Sequence, residues 1–199
     1  VLDYGTDESL EVLKKHAHEL AAVMVEPVQS RQPDLQPRAF LEQVRTLTDE
    51  CGAALIFDEV ITGFRVGPGG AQEYFGIRAD LATYGKVVGG GLPVAMIAGA
   101  PRFMDALDGG EWQFGDDSKP EVGVTYLAGT FVRHPMALAA CRAVLTRLRD
   151  EGPKLQERMN ARTEKFAREL NDELKQLGAP ISINHFASWW KPTFEGDHP

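Results

Sequence analysis

The chain has 199 residues, 43% hydrophobic and 25% charged, a composition that supports a packed core and argues against global disorder. Its 21 basic and 29 acidic residues leave a net charge of −8, which disfavours nucleic acid as a partner because phosphate backbones require a basic surface. No apolar run approaches the roughly 18–20 residues that cross a bilayer. Asp3, Asp7 and Glu8 stand where a signal peptide would be basic and then apolar. With only two distant thiols, Cys51 and Cys141, the expectation is a cytoplasmic protein in a reducing compartment, with no nucleic-acid or membrane partner.

Taken in chain order, Leu10, Leu13, Ala17 and Leu20 recur at helical spacing, and Ala21 to Val25 is a short buried strand that ends at Glu26-Pro27. Pro37 and Gly52 frame a second helix, striped by Phe40, Val44, Leu47 and Cys51. Ala53 to Phe57 is a second buried strand ending at Asp58-Glu59. Helix, strand, helix, strand is the pattern of an α/β fold with a largely parallel sheet. Gly67 to Gly70 reads as an irregular loop, Leu81 to Tyr84 as a short strand running into Gly85-Lys86, and Val94 to Ala98 as another strand. Pro101 to Leu107 makes one or two helical turns, and residues 108–120 form a long polar loop. Two helices follow, His134 to Arg149 and 153–177, broken at Gly152-Pro153, and a strand begins at Pro180. The break suggests two parts: residues 1–151, and residues 152–199 with a bridging helix that opens a second domain.

Two residues invite chemistry. Asp58 ends a hydrophobic strand, where open α/β sheets bind ligands; a helix cap or a solvated turn carboxylate is an equally open reading of that position. Lys86 also follows a strand and lies between Gly85 and Gly89-Gly90-Gly91, a niche that lets a planar ligand approach closely. Taken alone it reads as an ordinary surface lysine, and the triple glycine lacks the spacing of a nucleotide-binding loop. Together, 28 residues apart and each at a strand end, they match the requirements of pyridoxal 5'-phosphate: an amine that forms an imine and a carboxylate that keeps a pyridinium nitrogen protonated. At about 4 Å and an effective dielectric of about 20, that ion pair is worth on the order of 4 kcal/mol. His16, His18, His134, His185 and His198 form no spaced cluster with the cysteines, so no metal site is expected.

The segment from Phe57 to Arg65, FDEVITGFR, resembles the DEV-x-TGFR signature of class III aminotransferases, and Gly85 to Pro93 resembles their Schiff-base lysine motif. Val25-Glu26-Pro27-Val28-Gln29 resembles the upstream strand-end motif, and Gly129-Thr130-Phe131 with His134-Pro135 the segment that reaches the cofactor phosphate of a neighbouring subunit. The resemblance implies the three-layer α/β fold, with its mostly parallel sheet, of a fold type I pyridoxal-phosphate-dependent transferase. Residues 1–151 would be the C-terminal part of the large cofactor domain, and 152–199 the start of a small α+β domain. It implies that Lys86 forms the Schiff base and transfers the proton, that Asp58 pairs with the pyridinium, and that Val60 packs on a ring face while also serving the strand-end core. Gly129 and Thr130 would bind phosphate across a homodimer interface, with a turn threonine as the plainer reading of Thr130. Glu26 would line the pocket, or act as a cap or ion-pair residue, and Arg65 would be structural.

The reaction implied moves an amino group from an amino-acid donor to a carbonyl acceptor. The sequence resembles the glutamate-1-semialdehyde aminomutase group in general. Its stretches Gln29 to Arg31, Trp112 to Ser118 and Gly129 to Pro135 resemble more closely the aminotransferase domains of hybrid polyketide/nonribosomal peptide synthases. Those domains act on carrier-bound β-ketoacyl thioesters, so an acyl carrier protein is an expected partner. The competing expectations are a glutamate-1-semialdehyde 2,1-aminomutase and a catalytically inert fragment. The last arises because the chain opens on Val1 and ends at Pro199 like an excised piece of a longer domain.

Overall fold

The computed structural model describes residues 1–121, 123–125, 128–130 and 132–196. Its centre is a four-stranded sheet in the order β1 (Ala22–Val25), β2 (Ala54–Asp58), β3 (Leu81–Tyr84), β4 (Met96–Gly99). The first three strands run parallel, from Ala22 opposite Ala54 to Asp58 opposite Thr83. β4 returns antiparallel to β3, because the turn of chain at Lys86–Gly89 sends it straight back along its neighbour. The sheet is therefore mostly parallel, as the alternation of helices and strands predicts.

Each helix has a local cause. α1 (Asp7–Lys15) is capped by the Thr6 hydroxyl, which accepts from the Ser9 N–H at 3.2 Å, and carries Asp7 and Glu8 in its first turn with Lys14 and Lys15 in its last. The apolar stripe predicts a helix reaching Leu20, but α1 stops at Lys15. A single 3-10 turn, Ala17–Glu19, follows it, because Leu20 must already be extended to feed β1. α2 (Arg38–Cys51) ends on Gly52 at φ 76°, the left-handed cap that glycine adopts without strain. Cys51, placed on the buried stripe by its spacing, is only half-buried. Residues Leu10, Leu13, Phe40, Leu41, Val44, Leu55, Phe57, Ala71 and Phe75 form one core between α1, α2, β2 and a short helix, α3 (Gly70–Phe75).

α3 is an addition to the sequence reading, which takes Gly67 to Gly70 as loop only. After α4 (Pro101–Asp108), no helix or strand occurs among the described residues before α5 (Pro135–Glu151). α5 packs on the turn at Lys86–Gly89. Gly152, at φ 60°, separates it from α6 (Lys154–Gln176), whose 23 residues extend about 34 Å. β5 (Ile181–Phe186) and β6 (Trp189–Phe194) close the chain as an antiparallel hairpin. β6 escapes the sequence reading because Pro192 lies within it, a residue tolerated only where a strand leaves one side unpaired. The hairpin is tied to α6 by Asn171, whose amide both donates to Ile183 O (3.0 Å) and accepts from Ile183 N (2.7 Å). Phe186 joins the main core, edge-on to Tyr74 at 5.1 Å.

Among the described residues, no helix is long and apolar enough to cross a membrane.

Candidate active site

The C-terminal ends of β1, β2 and β3 carry Glu26, Asp58 and, one residue past β3's last residue, Gly85-Lys86. Parallel strands aligned in this register bring those ends to one edge. Asp58 closes β2 on the opposite face from the fully buried Phe57, since side chains alternate along a strand. Its Oδ1 accepts from the Val60 N–H (3.0 Å) and from the Thr83 hydroxyl (3.1 Å), the residue directly across the ladder. Its Oδ2 accepts no hydrogen bond among the described residues. Lys86 begins the 3-10 turn with φ 47°, a left-handed conformation that costs an L-residue roughly 1–2 kcal/mol. Its side chain is exposed, and its amine has no hydrogen bond or ion pair among the described residues. Gly85 before it is buried against Val60: a Cβ there would lie 3.2 Å from Val60 Cγ1. Val60 thus touches the backbone that presents the lysine.

Glu26 and Asp58 line one cleft of about 510 Å³, together with Tyr4, Val25, Gln29 and Phe40. Tyr4 donates to Pro27 O at 2.6 Å, and burial, aided by the nearby Glu26 charge, pushes its phenol well above the ordinary range. Gly129 and Thr130 lie elsewhere, in an apolar cleft of about 790 Å³ formed with Val94, Ile97, Leu107 and the start of α5. Of the predicted site residues, Glu26, Asp58, Val60 and Lys86 thus gather at one sheet edge, and Gly129 and Thr130 do not join them within this chain. Phe131, part of the same motif, lies outside the described residues.

Sequence reasoning missed the carboxylate next door. Glu59 is completely buried and accepts four hydrogen bonds. Oε2 takes the Thr62 hydroxyl (3.0 Å) and Ala71 N–H (2.7 Å); Oε1 takes Gln72 N–H and Gln72 Nε2, both at 3.2 Å. A buried charge without such partners would be prohibitive. Gln72 also donates to the Tyr84 hydroxyl (3.3 Å), and burial, with the Glu59 charge behind it, raises that phenol's pKa. Glu59 therefore locks the turn that follows Asp58 onto both α3 and β3. Its only sequence signal is a carboxylate inside an otherwise apolar strand end.

Arg65 closes the same turn. It donates to Ile61 O (3.0 Å) and Ser188 O (3.4 Å), and burial lowers its pKa. From α6, Gln156 and Asn160 donate to the carbonyls of Phe64 (3.3 Å) and Val66 (3.0 Å).

An amine and a carboxylate, each with a polar atom left open, thus stand at the carboxyl edge of a parallel sheet, the place where open α/β scaffolds bind ligands. The family model described as "Aminotransferase class-III" matches residues 4–183, and the chain belongs to that family. It is 40% identical over 179 residues to a glutamate-1-semialdehyde 2,1-aminomutase of Alkaliphilus oremlandii, covering 89% of this chain and 38% of that protein. Among solved structures it is similar to a transaminase with bound pyridoxal phosphate (TM-score 0.81, 31% identity, 97% of this chain and 43% of that one). It is similar also to a β-phenylalanine aminotransferase from Variovorax paradoxus (TM-score 0.81, 30% identity, 98% and 42%). The chain spans about two fifths of the length of these relatives.

Proposed function

We propose that this chain forms the lysine-bearing part of a pyridoxal-phosphate-dependent aminotransferase. One observation carries the reading: Asp58 Oδ2 and the Lys86 amine, both without partners among the described residues, stand at adjoining strand ends with Val60 packed between the two segments. This donor set fits the cofactor, since it offers an imine-forming amine and an acceptor for a ring N–H. When bound, pyridoxal phosphate supplies an electron-accepting ring conjugated to the substrate nitrogen. Lys86 holds the cofactor covalently and moves the proton at the substrate carbon. Asp58 holds the proton on the ring nitrogen, Val60 supports one ring face, and Glu26 lines the approach. Gly129 and Thr130, remote within one chain, bind phosphate across a homodimer boundary. Residues 1–151 belong to the large cofactor domain, and 152–199 are the bridging helix and the start of the smaller one.

The amino donor is an amino acid, and the acceptor we assign is a carrier-bound β-ketoacyl thioester delivered by an acyl carrier protein. Support comes from the resemblance of the Trp112 to Ser118 and Gly129 to Pro135 stretches to synthase-embedded aminotransferases. The likeness to an enzyme named for β-phenylalanine, an amine on a β carbon, points the same way. The 40% identity to a semialdehyde aminomutase favours a second reading, glutamate-1-semialdehyde as substrate.

The test is borohydride reduction of the enzyme containing this chain after loading with pyridoxal phosphate. We expect a visible Schiff-base band and a trapped adduct at Lys86, both lost in Lys86→Ala; an adduct that survives the substitution refutes the assignment. Offering β-ketoacyl carrier protein against glutamate semialdehyde then decides between the two substrates.

A further inference from the structure

We infer that Thr83 is a positioning residue for Asp58: its hydroxyl pins the carboxylate so that Oδ2 alone faces the ring nitrogen. A carboxylate's two oxygens exchange by rotation about Cβ–Cγ, and one hydrogen bond does not prevent this. The Val60 N–H comes from two residues along the same turn. The Thr83 hydroxyl comes from the neighbouring strand, 25 residues away, and meets the same oxygen. Two donors from different directions fix both the plane and the identity of the free oxygen. An ionised carboxylate only accepts, so the Thr83 hydroxyl must donate to it. Thr83 is itself held, because its carbonyl accepts from Glu59 N at 2.9 Å and its Cα lies in register with Asp58. The arrangement ties Asp58 to β3, the strand that leads into Lys86, so the two residues that would hold the cofactor are set by one pair of strands.

This inference rests on the pyridoxal phosphate reading, and the two fail separately. In the holoenzyme containing this chain, Thr83→Val keeps the shape and the strand preference but removes the donor. The expected result is a cofactor dissociation constant raised about tenfold, the scale of one hydrogen bond to a charged group. A changed pH dependence of the bound cofactor's visible absorption should accompany it, while the melting temperature of the cofactor-free protein falls by no more than about 2–4 °C, the scale of one hydrogen bond. Thr83→Ser should restore both affinity and spectrum. Because Thr83 acts through Asp58, Thr83→Val should add nothing in an Asp58→Ala background. Should the valine variant not fold, Thr83→Ala read against Thr83→Ser gives the same contrast. Unchanged affinity and spectrum in the valine variant overturn the inference. So does a loss confined to cofactor-free stability that serine does not rescue. Absence of a Lys86 adduct in the unsubstituted enzyme instead overturns the cofactor reading itself.

Discussion

Glu59→Gln is the most informative single change at the site, because it keeps volume and removes only charge and one acceptor oxygen. The Glu59 carboxylate accepts two hydrogen bonds on each oxygen and has no donor to offer. An amide nitrogen at the Oε2 position would face the Ala71 N–H. At the Oε1 position it would face the Gln72 N–H and Gln72 Nε2, and the Gln72 amide cannot turn over, since its own oxygen already accepts from Ala79 N at 3.0 Å. At Oε1 two hydrogen bonds are forfeited in a site closed to water. At Oε2 the Thr62 hydroxyl can turn to accept, so one is forfeited and the Ala71 N–H is left buried against another donor. Either orientation costs about 2–3 kcal/mol, a substantial part of a domain's net stability. At about 2–4 °C per kcal/mol, thermal unfolding of the cofactor-free protein should fall by about 4–12 °C. Circular dichroism melts of the two proteins measure this directly. A variant that melts within 1 °C of the parent would refute the claim that this carboxylate organises the turn.

Gly70→Ala should be costly for a related reason. Its φ of +64° penalises any side chain, and a Cβ would stand 2.2 Å from Glu59 Oε2, so about 2–4 kcal/mol should be lost in denaturant titration. Gly76→Ala, with φ +68° and open space around it, should lose only about 1 kcal/mol; equal losses at the two positions would dismiss the carboxylate contact. Asp80, at the start of β3, is opposed by burial, but the Leu55 N–H (2.8 Å), Arg45 (2.9 Å) and Arg102 outweigh it and hold the carboxyl below its usual range. A depressed native pKa contributes stability that is complete above the unfolded value of about 4 and is lost as pH falls through the native value. Stability measured between pH 6 and pH 2 should therefore decline less steeply in Asp80→Asn than in the parent, and parallel curves would remove Asp80 from the acid response.

The strand ends were legible because hydrophobic runs terminated by Glu26, Asp58 and Lys86 declare both burial and polarity change, and the parallel order follows from helices interposed between strands. What remained hidden was whatever depends on register. Thr83 in Leu81-Ala82-Thr83-Tyr84 looks like any strand threonine until Asp58 is placed opposite it. Glu59 looks like the second member of an acidic pair until α3 folds over it. α3 itself is only six residues long, too short to carry a periodic signal, and its entry depends on Gly70 and a carboxylate eleven residues earlier. Nor does sequence spacing reveal that Gly129 and Thr130 occupy a separate cleft, since that follows from the path of α5.

The grip of α6 and the hairpin on the turn after Asp58 bears on the order in which the molecule is assembled. Phe64 O is met by Gln156, Val66 O by Asn160 and Ser188 O by Arg65, contacts that join residues 92, 94 and 123 positions apart. A chain emerging from the ribosome completes β1, β2 and β3 long before those partners exist. Loops of that length close late, because their entropy must be offset before their contacts contribute. The segment that carries Val60 is thus synthesised before the groups that complete its hydrogen bonding. Maturation of that strand-end turn waits on α6 and the hairpin.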